Sequence, residues 1–123
     1  MDNIRTINKK FPSLLGPING LINKNKRNDA YDKSKITQPI LIDWAAGSFL
    51  LFTKNAFERL NGFNDKYFMY FEDVDICRRA KIKKMHLMYL PSIKATHIGA
   101  FNNRNILSKH FRWYLVSYLK YHF

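Results

Sequence analysis

Phe68-Met69-Tyr70-Phe71-Glu72-Asp73-Val74-Asp75 sets three carboxylates directly behind four large apolar side chains. A carboxylate beside apolar rings loses hydration, so its pKa rises and it becomes a better proton acceptor. The same residues also suit the first turn of a helix, where acids complement the N-terminal dipole. Asp73, Ile76, Cys77 and Ala80 recur at i, i+3, i+4 and i+7 and predict an amphipathic helix over 72–83. On that helix Asp73 leans toward the core side, Glu72 and Asp75 flank it, and Asp75 can pair with Arg79 at i,i+4.

Upstream, Ile40-Leu41-Ile42 leads into Asp43-Trp44-Ala45-Ala46-Gly47-Ser48, and Phe49-Leu50-Leu51-Phe52 reads as a buried strand. Thr53 is an N-cap for a helix through Leu60, and Asn61-Gly62 is a C-cap signal. Residues 1–39 read as a basic linker segment punctuated by Pro12, Gly16, Pro17, Gly20 and Pro39, with a short helix over 11–22 as its one regular element. Downstream, 85–90 is a strand candidate stopped by Pro91, and 93–97 is a second one ending at Ile98-Gly99. Asn102, Asn103 and Asn105 mark a loop. A basic, aromatic helix is expected over 106–123, with Leu107, Phe111, Tyr114, Leu115 and Tyr118 on one side.

The 123 residues amount to one domain, small for a complete enzyme, and the apolar (46%) and aromatic (15%) fractions exclude global disorder. The single cysteine, Cys77, has no partner for a disulfide and reads as a buried core thiol in a reducing compartment. The opening Met-Asp-Asn-Ile-Arg has no apolar signal segment, and the weakly polar run 45–52 is too short to cross a bilayer; the expected location is the cytoplasm, at the inner membrane face. The charge of +12 is lopsided: residues 1–75 carry a net +2, whereas 76–123 carry ten Lys or Arg and no acid. Such asymmetry calls for an anionic partner, whether membrane headgroups, nucleic acid or substrate phosphates.

Four segments occur in a telling order. They are Asp43-Trp44-Ala45-Ala46-Gly47-Ser48-Phe49, Ala56-Phe57-Glu58-Arg59-Leu60-Asn61-Gly62-Phe63, the acidic stretch continuing to Arg79, and Pro91-Ser92-Ile93-Lys94-Ala95-Thr96-His97-Ile98-Gly99. In this order they resemble the C-terminal half of family 2 glycosyltransferases, notably the rhamnosyltransferase-like branch. The resemblance implies an α/β chain: residues 40–123 as the acceptor-side part of a GT-A Rossmann-like fold, with short strands, an acidic-motif helix and a C-terminal basic helix. It implies inverting transfer of a sugar from a nucleotide-sugar donor to a glycan acceptor in cell-surface polysaccharide biosynthesis. Asp73 would be the general base, Glu72 would orient the acceptor or support the base, and Asp75 would buttress the site. Trp44 and Gly47 would shape the acceptor pocket, and His97 would help bind the divalent cation on the donor diphosphate.

The family's nucleotide-binding half, with its own metal-binding Asp-x-Asp, has no counterpart in these residues. Asp73-Val74-Asp75 is read as the later acidic motif, because it follows aromatics and opens a helix. Mg²⁺ or Mn²⁺ is therefore expected only with the full nucleotide-binding half, a separate N-terminal half is a candidate partner, and the isolated chain should bind Mn²⁺ weakly. Without the resemblance, Trp44 reads as a core aromatic, Gly47 as a turn residue and His97 as a strand-end histidine. Two other functions remain open on the residues alone. One is a basic nucleic-acid-binding module built on Phe111, Trp113, Tyr114 and Tyr118, opposed by the clustered acids, so that no nucleic acid is the expectation. The other is a non-catalytic remnant or partner subunit. Peripheral membrane contact through the C-terminal helix is a further reading.

Overall fold

The computed structural model describes residues 7–8, 10–15, 31–96 and 107–123. Two short antiparallel ribbons and three helices make up the regular structure of these residues. Strand β1 (Ile7–Asn8) is followed by β2 (Ile40–Ile42) and β3 (Trp44–Ala45). Helix α1 (Lys54–Arg59), helix α2 (Glu72–Ile82), strand β4 (Leu87–Tyr89) and helix α3 (Lys109–His122) complete the order. β1 pairs with β3, and β2 pairs with β4 in the register Ile40–Tyr89, Leu41–Met88 and Ile42–Leu87. The described parts of the leading segment are joined to this body: Trp44 Nε1 donates to the Lys10 carbonyl at 2.9 Å, and the Tyr118 hydroxyl donates to the Leu14 carbonyl.

Local chemistry explains the ends of α1. Thr53 Oγ1 accepts the Ala56 N–H, an N-cap bond for a first-turn donor. At the other end Asn61 and Gly62 both adopt positive φ, and the Gly62 N–H returns to the Phe57 carbonyl at 3.0 Å. Helix α2 carries the core on two sides. Ile76 and Cys77 meet Leu60, while Val74 meets Tyr67 and Phe71; Phe11 and Trp44 pack against both groups.

Helix α3 starts at Ser108, whose Oγ accepts the Phe111 N–H at 3.1 Å. Its inward face carries Tyr114, Ser117, Tyr118 and Tyr121. The three tyrosine rings lie 5.6, 5.9 and 5.2 Å from the ring of Phe71, and Ser117 Oγ donates to the Met69 carbonyl at 2.7 Å. Lys120 Nζ donates to the Lys66 carbonyl at 2.9 Å, and Lys66 Nζ returns the bond to the Lys120 carbonyl.

Four sequence expectations change. The run 49–52 is not a strand: a 3₁₀ turn covers Gly47–Phe49, and no described strand pairs with the residues after it. Phe52 turns onto Phe57 and Phe63 instead, and Leu51 is 86% exposed. Residues 93–96 form no strand, since the chain has just turned at Pro91, where the Ile93 N–H bonds the Leu90 carbonyl. The buried side of α3 is rotated from the expected one: Ser117 is 3% exposed, whereas Leu115 and Leu107 face outward. A helix of two apolar faces gives no unique inward direction from spacing alone. Of the helix expected over 11–22, residues 11–15 are non-helical and the remainder lies outside the described residues.

Candidate active site

The acidic turn is built on a backbone of unusual shape. Tyr70 and Phe71 both sit at φ 68°, a left-handed conformation rare for bulky non-glycine residues. Such conformations cost free energy and persist where the surroundings fix them. Here the surroundings are plain: Phe71 is buried among the rings of α3, Ser117 holds the Met69 carbonyl, and the Tyr70 hydroxyl lies 3.4 Å from His110 Nδ1. The double left-handed turn takes the chain abruptly from the aromatic wall into α2. It delivers Glu72 and Asp73 as the first two residues of that helix.

Asp73 is held at both carboxylate oxygens. Oδ2 accepts the Gly47 N–H at 2.8 Å and Oδ1 accepts the Val74 N–H at 2.7 Å. Each oxygen keeps a second lone pair for another donor. Burial pushes the Asp73 carboxyl above its ordinary pKa, while the amides of Gly47, Val74 and Asp73 itself pull it back. Gly47 matters for its missing side chain, because a Cβ there would lie 3.3 Å from Asp73 Cβ. Only the bare backbone comes close enough to donate without pushing the carboxylate away.

Glu72 is half-buried beside this group. Its Oε2 is shielded from solvent and has no hydrogen-bond partner among the described residues. Burial raises its pKa, the backbone amide of Glu72 opposes the rise, and the neighbouring Asp73 charge adds to it. A buried carboxylate oxygen without a donor is costly.

Asp75 is placed differently. Its Oδ2 accepts Arg79 Nε at 2.7 Å, and the same guanidinium donates to the Leu60 carbonyl and, at 2.9 Å, to the Gly62 carbonyl. Asp75 thus fixes the arginine that ties α2 to the C-terminus of α1. The i,i+4 spacing signalled the ion pair, but the two carbonyl acceptors follow only from the positive-φ turn at 61–62. Trp44 stands in β3 against both core groups, with its indole N–H committed to Lys10. The structure therefore brings Gly47, Glu72 and Asp73 together and sends Asp75 to Arg79. Tyr70 and Phe71 stand inside the aromatic-acidic motif, but nothing in the sequence signals their left-handed turn, and Ser117, which helps hold it, gives no motif signal at all.

The carboxylates of Asp73-Val74-Asp75 do not converge, since one is bound by backbone amides and the other by Arg79. Among the described residues no group of three His, Cys, Asp or Glu could hold a metal ion, and His97 lies outside those residues. The described residues do not by themselves make a divalent-cation site. Cys77 plays no nucleophilic part: burial raises its thiol to about 11.

Comparison with known proteins places this arrangement. A family model described as the N-terminal domain of galactosyltransferase matches residues 33–103, more than half of the chain. The chain is 40% identical over 116 residues to rhamnosyltransferase WbbL of Escherichia coli (strain K12), covering 92% of this chain and 42% of that protein. It is 39% identical over 56 residues to an N-acetylglucosaminyl-diphospho-decaprenol L-rhamnosyltransferase of Mycobacterium tuberculosis, covering 46% of this chain and 18% of that protein. A low-salt glycan biosynthesis hexosyltransferase of Haloferax volcanii is 29% identical over the same length. The chain thus spans less than half the length of these relatives. No solved structure matches it. Motif order, family model and relatives agree: the chain belongs to the family 2 glycosyltransferases, on their rhamnosyltransferase-like side.

Proposed function

We infer that this chain is the acceptor-side, catalytic-base portion of an inverting glycosyltransferase, corresponding to the C-terminal part of a GT-A fold. The reaction is transfer of a hexosyl group, rhamnosyl by analogy with the relatives, from a nucleotide-sugar to a glycan acceptor during cell-surface polysaccharide assembly. The observation that carries this reading is Asp73, a buried carboxylate held by the Gly47 and Val74 amides beside the unpartnered oxygen of Glu72.

The chemistry follows from those contacts. The acceptor hydroxyl is a poor nucleophile until its proton has somewhere to go. Asp73 takes that proton through a free lone pair while the hydroxyl oxygen attacks the anomeric carbon. Glu72 accepts a hydrogen bond from a second acceptor hydroxyl and so orients the sugar. The nucleoside diphosphate leaves on the opposite face, and the anomeric configuration inverts. Burial makes Asp73 a stronger base than a solvated aspartate, and the Gly47 and Val74 amides oppose that rise by stabilising the charged form. The nucleotide would be held by the remaining portion of the protein, on the same chain or a separate one. A divalent cation on its diphosphate would take its other ligands there, with His97 as this chain's candidate contribution.

The test is sugar transfer by a longer polypeptide that supplies a nucleotide-binding half. Asp73→Asn in that polypeptide should abolish transfer while leaving the fold intact. Transfer at the unmodified rate would overturn the assignment of the base. No transfer from the unmodified polypeptide would favour the non-catalytic partner reading.

A further inference from the structure

Helix α3 has a second apolar face, and its inward partners do not use it. Leu115, Val116 and Leu119 are 43%, 49% and 47% exposed, and Phe123 at the helix end is 87% exposed. On a 3.6-residue repeat these four residues fall within one arc opposite Tyr114, Ser117, Tyr118 and Tyr121. Arg112 lies in the same arc one turn toward the N-terminus, and exposed Lys109 and Lys120 border it. Residues after Asp75 include no acid that could offset these cations.

We propose that this outer face of α3 lies on an anionic lipid bilayer, with Leu115, Val116, Leu119 and Phe123 sunk at the headgroup–acyl boundary and Lys109 and Arg112 at the phosphates. The tyrosine-rich inner face anchors the helix to the protein, so the helix lies in the membrane plane and does not cross it. No helix among the described residues is long and apolar enough to span a bilayer. An apolar arc edged by cations is the pattern of in-plane helices, and long basic side chains reach outward from such a position. Surface chemistry decides against the other occupants. A nucleic acid would find phosphate contacts at Arg112 and the lysine edge, but Leu115, Val116 and Leu119 fill the rest of the stripe with aliphatic surface on which bases do not stack. A second copy of this chain, which carries a net +12 of its own, would set like charge against Arg112 within the arc and the lysines along its one basic edge.

Flotation of the 123-residue chain with vesicles tests the proposal without any transfer activity, so its outcome is separate from that of Asp73→Asn. Vesicles of phosphatidylcholine mixed with phosphatidylglycerol should carry the protein upward, and phosphatidylcholine alone should not. Leu115→Glu with Leu119→Glu should reduce binding at least tenfold while circular dichroism stays unchanged, because both positions are exposed. Lys109→Gln with Arg112→Gln should weaken binding about twenty-fivefold, from roughly fivefold per cation near an anionic surface. This second pair leaves the four apolar residues in place, gives up only the Lys109 ammonium over the Trp113 ring at 5.6 Å, and decides the matter even if the first pair misfolds. Binding that is equal on neutral and anionic vesicles overturns the proposal. So does a wild-type dimer that floats with neither lipid and becomes monomeric in the Leu115/Leu119 variant. Tight oligonucleotide binding without vesicle binding overturns it as well.

Discussion

Asp73 and Asp75 stand two residues apart at the start of one helix and meet opposite fates. Asp75 finds a full counter-charge in Arg79, whose remaining donors are spent on the Leu60 and Gly62 carbonyls. Asp73 finds only backbone amides, which stabilise its charge without neutralising it. One carboxylate fastens two helices together; the other keeps lone pairs and basicity for a ligand. Two residues along a helix are a turn of about 200°, which points the acids at nearly opposite neighbours, so acids of one motif need not share one job.

Substitutions can break this contrast. The largest effect is expected for Asp73→Asn in a polypeptide with a nucleotide-binding half. Transfer should fall by about 10²- to 10⁴-fold, the usual worth of a general base, with the melting temperature nearly unchanged. Asp75→Ala should reverse the pattern and cost stability. Asp75 and Arg79 keep 16% and 25% side-chain exposure, so removing the acid strands a mostly buried guanidinium. We expect a loss of about 2–3 kcal/mol in denaturant unfolding, somewhat below the range for fully buried pairs. A larger effect of Asp75→Ala on transfer than of Asp73→Asn would collapse the division of roles.

Gly47→Ala should act on Asp73 alone. The added methyl meets Asp73 Cβ at 3.3 Å, a mild overpacking that costs about 1 kcal/mol of stability. Transfer should drop by about tenfold through displacement of the base, on the scale that small misplacements produce. An unchanged transfer rate would show that the amide contact does not position the carboxylate.

The smallest effect concerns pH. Glu72 and Asp73 both have folded-state pKa values raised mainly by burial. A raised carboxyl binds its proton more readily folded than unfolded. Its contribution to stability is therefore fully present below the unfolded pKa and is lost as pH rises through the folded one. Glu72→Gln should raise the melting temperature slightly at neutral pH, and the gain should vanish in acid, where Glu72 is already protonated. A gain that persists in acid would point to packing and not to charge.

Much of the site could be read from residue order, and the failures have physical causes. The 72–83 spacing located α2 and put Asp73 on its core side, because an 11-residue helix shows its period clearly. Thr53 and Asn61-Gly62 marked the ends of α1 through side-chain and backbone chemistry confined to those residues. The run 49–52 misled because apolarity signals burial without naming a partner, and Phe52 found aromatic rings in place of a neighbouring strand. The inward side of α3 was not legible because Leu115 and Tyr114 are equally apolar to a periodicity count, and only Phe71 and the Met69 carbonyl choose between them. The left-handed pair Tyr70-Phe71 was invisible for a related reason. Its conformation is imposed by distant residues, against the preference of its own side chains.

Cys77 gives the chain a built-in clock. It is the sole thiol, it lies beside Ile76 and Leu60 at the centre of the α2 core, and its pKa of about 11 leaves almost no thiolate at neutral pH. Cys77 is 5% exposed and borders a cavity of about 200 Å³ beside Ala80, Lys81 and Met85, so a thiol reagent labels it slowly from that side and faster as α2 loosens from the core. Arg79 clasps the same helix to α1, so Asp75→Ala should quicken labelling with no probe introduced. Asp73→Asn should change the pace less, since it breaks no tie between α2 and α1 and removes only a charge that helps hold the Cys77 pKa up. The two acids can thus be told apart by a stopwatch and one natural sulfur, before any sugar is transferred.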